Sequence, residues 1–365
     1  MVEDNQMNCV NYKDAVWLTI IPCLVVETSQ NNAVIKCVKS EEKPMIRELS
    51  AKIKTGREIT YEEAIRCSQL NNDQLLELLI VAADLTRDFY NKKVELCAII
   101  NAKSGHCSED CHYCAQSGHY QTGVEVYPML PTDKVLARAK EMEANGVTRY
   151  ALVTSGRALS DNDFRQALVT FRQLHQQTNL CLCASFGILN SDQLQQLKEA
   201  GVTRYHHNLE TSRSNFEDIC STHTYDERIA TVKAAQEVGL QVCSGGIFSI
   251  GETWEQRIEM AFELKDLKVD SIPINILVPI KGTPLEHQAI MSPLDILKTI
   301  AIFRLIMPRT SLRICGGHEK ALRDLQAIMF IAGIDAAMVD NYLTKKGRTI
   351  TEDIQMINDM GLSIC

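Results

Sequence analysis

The sequence predicts a (β/α)₈ barrel preceded by a helical segment. Three observations carry this reading: eight short apolar or β-branched runs, amphipathic stretches between them, and glycines that close several of those stretches. The runs cover 94–101, 148–154, 180–187, 203–209, 241–250, 271–278, 311–315 and 336–342. Between them, 133–145, 161–177, 226–238 and 254–268 carry helical periodicity, and Gly146, Gly201 and Gly239 stand where a residue with positive φ ends a helix. Eight alternating units in about 270 residues suit a closed barrel with right-handed crossovers and functional groups at the strand C-terminal ends. The runner-up is an open doubly wound sheet. No G-x-G-x-x-G follows the first strand to support it.

Ahead of the barrel, 44–91 reads as helical. Thr60 is placed to cap the segment that begins Tyr61-Glu62-Glu63-Ala64. Asn72-Asp73 opens a second run with Leu75, Leu76, Leu79, Ile80 and Ala83 expected on one face. This segment is an N-terminal helical cap. Residues 1–42 carry no sustained periodicity and form an extension of uncertain order, so the barrel and its helices occupy 43–365.

At 365 residues, 45% hydrophobic and 23% charged, the chain has enough apolar content to exclude a disordered or collagen-like class. Its net charge of −8 argues against a nucleic-acid partner. The longest apolar candidate, 15–26, is short and broken by Pro22, so no membrane span is expected and the chain reads as cytoplasmic. In that reducing compartment, fourteen cysteines point to metal or redox chemistry rather than a disulfide framework. Cys9, Cys23, Cys37, Cys67, Cys220 and Cys365 are scattered and read as small hydrophobes or exposed thiols.

The others are not scattered. Directly after the first predicted strand comes Gly105-His106-Cys107-Ser108-Glu109-Asp110-Cys111-His112-Tyr113-Cys114, a C-x3-C-x2-C loop. Three thiolates on one short loop can hold three irons of a [4Fe–4S] cluster and leave the fourth iron open to a substrate or cofactor. The rival is a structural zinc site completed by His106, His112 or His119, although no second C-x2-C pair follows.

The C-x3-C-x2-C pattern, with an aromatic before its last cysteine, resembles the signature of the radical S-adenosylmethionine family. Further segments resemble its biotin synthases: Cys114-Ala115-Gln116-Ser117-Gly118-His119-Tyr120, Tyr205-His206-His207-Asn208-Leu209-Glu210-Thr211-Ser212, Val242-Cys243-Ser244-Gly245-Gly246-Ile247, Pro273-Ile274-Asn275-Ile276-Leu277 and Gly282-Thr283-Pro284-Leu285. The resemblance runs in order from about Lys43 to the C-terminus. It implies that Cys107, Cys111 and Cys114 hold a [4Fe–4S] cluster whose open iron is chelated by S-adenosylmethionine. An electron then splits the sulfonium bond, and a 5′-deoxyadenosyl radical takes hydrogen from dethiobiotin. By the same resemblance, Tyr113 packs near the cofactor, Arg228 answers the methionine carboxylate and Glu210 accepts from the ribose hydroxyls. Asn208 and Asn275 serve the cofactor and the ureido ring of the substrate. Glu210 stands where the family more often has Asp. A reducing flavodoxin or ferredoxin as electron donor and a homodimer are also implied.

The family further carries an auxiliary iron–sulfur cluster, held by three Cys and an Arg and regarded as the sulfur donor. Here Cys183, Cys243 and Arg313 match that set, but the remaining Cys position is Ala151. Alternate residues of a barrel strand face the same side, so Cys315 is expected beside Arg313 and Cys181 beside Cys183, with Cys97 on the strand next to the lost ligand. Cys97, Cys183, Cys243 and Cys315, with Cys181 in reserve, suit an all-cysteine four-iron auxiliary cluster, with Arg313 a nearby hydrogen-bonding cation. Under the bland alternative these are buried thiols filling a barrel. Two other functions compete with sulfur insertion. One is a radical enzyme of the hydrogenase-maturation type that needs only the first cluster; the other is a non-catalytic iron–sulfur or zinc module.

Overall fold

The computed structural model describes residues 24–29, 32–37, 42–340, 343 and 347–365, with side chains from Met45 onward. The chain divides into two units, Met1–Met45 and Ile46–Cys365. In the first, β1 (Leu24–Ser29) and β2 (Asn32–Cys37) pair antiparallel, Leu24 opposite Cys37. Residues 1–23, 30–31 and 38–41 of the expected extension lie outside the described residues.

The second unit contains β3 (Lys93–Lys103), β4 (Arg149–Thr154), β5 (Cys181–Ser185), β6 (Val202–His206), β7 (Gln241–Cys243), β8 (Gly246–Phe248), β9 (Ser271–Ile276), β10 (Ser311–Ile314), β11 (Ala336–Met338) and β12 (Ser363–Ile364). β7 and β8 are the two halves of one stave, since both pair with β9. Parallel pairing runs in order through these strands, from β9 to β10 to β11, and then from β11 back to β3. Eight staves therefore close into a barrel, which excludes the open sheet. Each of the eight predicted runs coincides with one stave, although β3 (Lys93–Lys103) overruns 94–101 at both ends and β6 begins one residue before 203. The last ends at Met338, and Tyr342, the expected end of that run, lies outside the described residues.

Alternation along the strands decides what enters the barrel. Leu96, Ala98, Tyr150, Leu152, Leu182, Ala184 and Tyr205 are fully buried at one parity, as strands covered by helices require. The other parity carries Glu95, Cys97, Arg149, Ala151, Cys183, Arg204 and His206, which is a far more polar set.

Ahead of the barrel lie α1 (Glu42–Lys54), α2 (Tyr61–Ser68) and α3 (Asn72–Tyr90). Thr60 accepts from Glu63 N, and the Glu63 side chain returns to Thr60 N, so the expected cap is present as a reciprocal box. α3 opens at Asn72 as expected, and Asn71 caps it through a reciprocal pair with Gln74. The expected apolar face is also rotated. Leu76 and Ile80 are 64% and 50% exposed, whereas Leu78, Ala82 and Leu85 are buried with Leu75 and Leu79. The helices pack on the outer layer, α3 against Pro293–Ile306 and Ile328–Ala332, and α2 against Trp254–Asp266. Pro293–Ile306 is consequently covered by α3 as well as by β10, which explains why it is apolar nearly all round.

One half-buried carboxylate organises the lower lumen. Glu95 Oε1 accepts from Arg149 Nε and Nη2 at 3.2 and 3.0 Å. Its Oε2 accepts from Arg313 Nη2 and lies 3.7 Å from Arg204 Nη1. Burial raises the Glu95 pKa, but Arg313 and Arg149 outweigh it and leave the pKa below its ordinary value of 4.5. Glu95→Gln leaves three buried guanidiniums facing one another, so urea denaturation of the cluster-free chain at neutral pH should show a loss of about 3 kcal/mol. Because the folded pKa is depressed, this contribution is complete above pH 4.5 and disappears as pH falls through the folded value. The wild-type and variant midpoints should converge in acid; a constant gap would contradict this account.

Candidate active site

The cysteine loop leaves the C-terminal end of β3 and folds back on itself. Cys107 N donates to Gln116 O at 3.0 Å, and Gly118 N to Cys107 O at 2.7 Å. Cys114 N donates to Cys111 O at 3.0 Å and His112 N to Ile219 O at 2.9 Å, which ties the loop to the segment that follows β6. Asp110 strengthens that tie by accepting from Ser221 N at 2.9 Å and Thr222 N at 3.2 Å. Burial raises the Asp110 pKa, but hydrogen bonds from Ser221, Cys220 and Thr222 together outweigh it and hold the carboxyl well below the usual range.

Of the histidines expected to complete a zinc site, His119 Nε2 lies 2.9 Å from Ser108 O, within the loop itself. The histidine that the fold brings to a loop cysteine is His223, together with Cys220. The sequence reading placed Cys220 among the scattered thiols. The structure buries it 3.6 Å from Cys111 Sγ, with Asp110 and His223 alongside. No sequence pattern could have flagged it, because the contact crosses 109 residues.

The expected cofactor-binding residues converge above the barrel. Asn208 Nδ2 donates to Glu210 Oε2 at 3.2 Å, Arg228 Nη1 donates to Asn208 O at 2.8 Å, and Arg228 lies 3.7 Å from Glu210 Oε1. Glu210 has φ +72°, a left-handed conformation uncommon for a non-glycine residue and characteristic of functional positions. Gly245 and Gly246 make this fold possible: an added Cβ would fall 2.2 Å from Pro273 O at the first and 2.4 Å from Glu210 O at the second. Gly245 O accepts from both Leu209 N and Glu210 N. Asn275 Nδ2 donates to Gly246 O at 3.2 Å, and Tyr113 packs on the apolar cluster of Ile219, Ile250 and Leu277. Burial pushes the Tyr113 hydroxyl pKa well up, so it stays protonated.

A cavity of about 380 Å³ joins this region to the lower lumen. Tyr113, Cys114, Asn208, Glu210 and Asn275 line it, as do Cys97, Cys183, Cys243, Cys315 and Arg313. Arg228 does not line the cavity; it is buried behind Asn208 and Glu210 and has an unpartnered Nε. Ala151 also lines the wall where relatives were expected to carry Cys. Cys181 shares the parity of Cys183 but is exposed at the start of β5 and does not line the cavity, so it is no reserve ligand there.

The four lumen thiols suit a metal cluster by chemistry and by charge. Burial pushes Cys97 up to about 12 and Cys315 well above its ordinary value, so both are protonated until a metal displaces the proton. Below them, three guanidiniums share one carboxylate, and Arg149 Nη1 reaches Cys183 Sγ at 3.6 Å. Burial opposes the Arg313 charge, but its pKa is raised by Cys97, Cys243 and Cys315 once they are thiolates and by the Glu95 carboxylate. An excess of positive charge under a ring of sulfurs favours anionic contents. Glu95, Arg149 and Arg204 were missed from sequence, although charged residues at lumen parity inside apolar runs were the available signal. On the cysteine loop, three thiols on one turn, with Glu109 and Asp110 engaged by residues 221–223, fit a cluster with three protein ligands.

Similarity to known proteins gives the family. The family model of the Radical SAM superfamily matches residues 102–264, and that of the Biotin and Thiamin Synthesis associated domain matches 273–363. The biotin synthase of Pelotomaculum thermopropionicum is 54% identical over 320 residues, covering 88% of this chain and all of that protein. That of Heliobacterium modesticaldum is 53% identical, covering 88% of this chain and 98% of that protein. Among solved structures, methylornithine synthase (PylB) superposes with TM-score 0.76 at 18% identity, covering 87% of this chain and 97% of that one. The [FeFe]-hydrogenase maturase HydG gives 0.76 at 17% identity, covering 89% and 77%. Those two likenesses show the barrel alone, so the maturase-type alternative is not favoured. Identity above one half along nearly nine tenths of the sequence decides the matter: the chain belongs to the biotin synthase family of radical S-adenosylmethionine enzymes.

Proposed function

We propose that this chain inserts sulfur into dethiobiotin to form biotin. The observation that supports the reading is one cavity lined by Tyr113 and Cys114 as well as by Cys97, Cys183, Cys243 and Cys315, so that hydrogen abstraction and a sulfur source would share one enclosure. Cys107, Cys111 and Cys114 would hold a [4Fe–4S] cluster that supplies the electron for reductive cleavage of S-adenosylmethionine, and Cys97, Cys183, Cys243 and Cys315 would hold an auxiliary cluster that supplies sulfur.

The chain's own residues bind, orient and exclude water. The paired Asn208 and Glu210 offer an acceptor and an amide to the ribose, while Arg228 behind them balances the carboxylate and keeps it in place. Asn275, fixed by Gly246 O, presents its free carbonyl to the ureido N–H groups of the substrate. Ile99, Val153, Ile247, Ile276 and Met338 provide an apolar wall that keeps solvent hydrogen away from a reactive centre. Arg313, held by Glu95, serves as a cation beside the auxiliary ligands rather than as a ligand. Electrons from a reduced flavodoxin or ferredoxin, a cytoplasmic setting and a homodimer complete the proposal. Among the described residues, no helix is long and apolar enough to cross a membrane.

Anaerobic incubation with dethiobiotin, reductant and S-adenosylmethionine should yield biotin by mass spectrometry above an enzyme-free control, together with 5′-deoxyadenosine. 5′-Deoxyadenosine without biotin would refute the substrate assignment. The auxiliary cluster has a separate test. After anaerobic reconstitution, Cys111→Ala should retain about four iron and four acid-labile sulfide per chain, and adding Cys243→Ala should lower both. Counts near zero in Cys111→Ala would remove the sulfur donor from the proposal.

A further inference from the structure

Cys111, Cys220 and His223 form a buried constellation that the proposed chemistry leaves unexplained. Their ligand atoms lie within 4.8 Å of one another. Cys111 and Cys220 Sγ are 3.6 Å apart, and Cys220 Sγ is 3.3 Å from His223 Nδ1 and 3.9 Å from Nε2. Two thiolates on one tetrahedral ion, with metal–sulfur bonds of about 2.3 Å, stand about 3.8 Å apart, and a thiolate and an imidazole nitrogen about 3.5 Å apart. The 3.6 Å between the sulfurs and the 3.9 Å from Cys220 Sγ to Nε2 are each within about 0.4 Å of the spacing of ligands on a single ion. Thiolates on separate irons of a cubane stand farther from one another.

The surroundings match as well. Glu109 accepts from His223 Nδ1, which fixes the ring and leaves Nε2 with the lone pair, the arrangement seen where a carboxylate orients a metal-binding imidazole. Asp110 Oδ1 lies 3.2 Å from Cys220 Sγ, within reach of a fourth position. Arg157, 3.5 Å from Glu109 Oε2, offsets the carboxylate charge at the rim.

We propose that Cys111, Cys220 and His223 bind one soft divalent cation, Zn²⁺ or Fe²⁺, in a mononuclear site that excludes the first iron–sulfur cluster because both require Cys111. Binding takes both sulfurs as thiolates, the proton of the Cys111 thiol passing to solvent, with no change of oxidation state. The site makes maturation metal-sensitive: a cation held there keeps Cys111 from Cys107 and Cys114, and assembly of the cluster waits on its release.

The test uses the full chain, stripped anaerobically of its clusters under reductant and loaded with one equivalent of Zn²⁺. X-ray absorption should show two sulfur neighbours at about 2.3 Å and an imidazole nitrogen at about 2.0 Å. Three sulfurs without imidazole would place the ion on the cysteine loop and overturn the proposal. Co²⁺ should give a tetrahedral thiolate spectrum in the stripped wild type and in Cys107→Ala. In Cys220→Ser and His223→Gln, binding should weaken by at least about 10-fold, with thermal midpoints confirming that both fold. Undiminished binding in those two folded variants, or a spectrum lost in Cys107→Ala, would equally overturn it. Zn²⁺ should also slow recovery of the first cluster's absorbance in wild type but not in Cys220→Ser; equal slowing in both would contradict the gating role.

Discussion

Closure of the barrel is the constraint from which the site follows. Eight parallel staves with a two-residue repeat force every second side chain into a space from which bulk water is largely excluded, so each polar group there needs a partner inside the protein. Glu95 answers Arg149, Arg204 and Arg313 from one position on β3, and its parity also carries Cys97 inward, two residues further along the strand. A one-residue slip of β3 would turn both residues outward and bring Leu96 into the lumen.

Above the closed wall, the chemistry rests on loops pinned to each other. Asp110 and Glu109 belong to the cysteine loop, yet their hydrogen bonds go to residues 221–223, more than a hundred positions later. The thiols are therefore positioned by two segments at once. Such bonding places Cys220 against Cys111, which a loop free of that partner would not do.

Much of this was legible in the sequence because it is local. Strand parity placed Cys97, Cys183, Cys243 and Cys315 on one wall, and the cysteine spacing marked the loop. The misreadings share a cause: each depended on where a distant segment packs. Leu76 and Ile80 fit an apolar stripe, but the partner helices of α3 lie on the side of Leu78 and Leu85. Cys181 has lumen parity yet lies at the exposed start of its strand, beyond the reach of the cavity. Cys220 and His223 stand in a loop with no periodicity, so neither their burial nor their neighbours could be inferred from spacing.

The interrupted fifth stave has a bearing on how readily this pocket can be reshaped. At Gly245 and Gly246, main-chain carbonyls of Pro273 and Glu210 already occupy the volume that a methyl group would need. Those two positions are closed to any side chain. Altered preference for a bulkier or shorter ureido compound has to arise elsewhere, at Ile99, Val153, Ile247 or Met338, where a side chain meets the cavity directly.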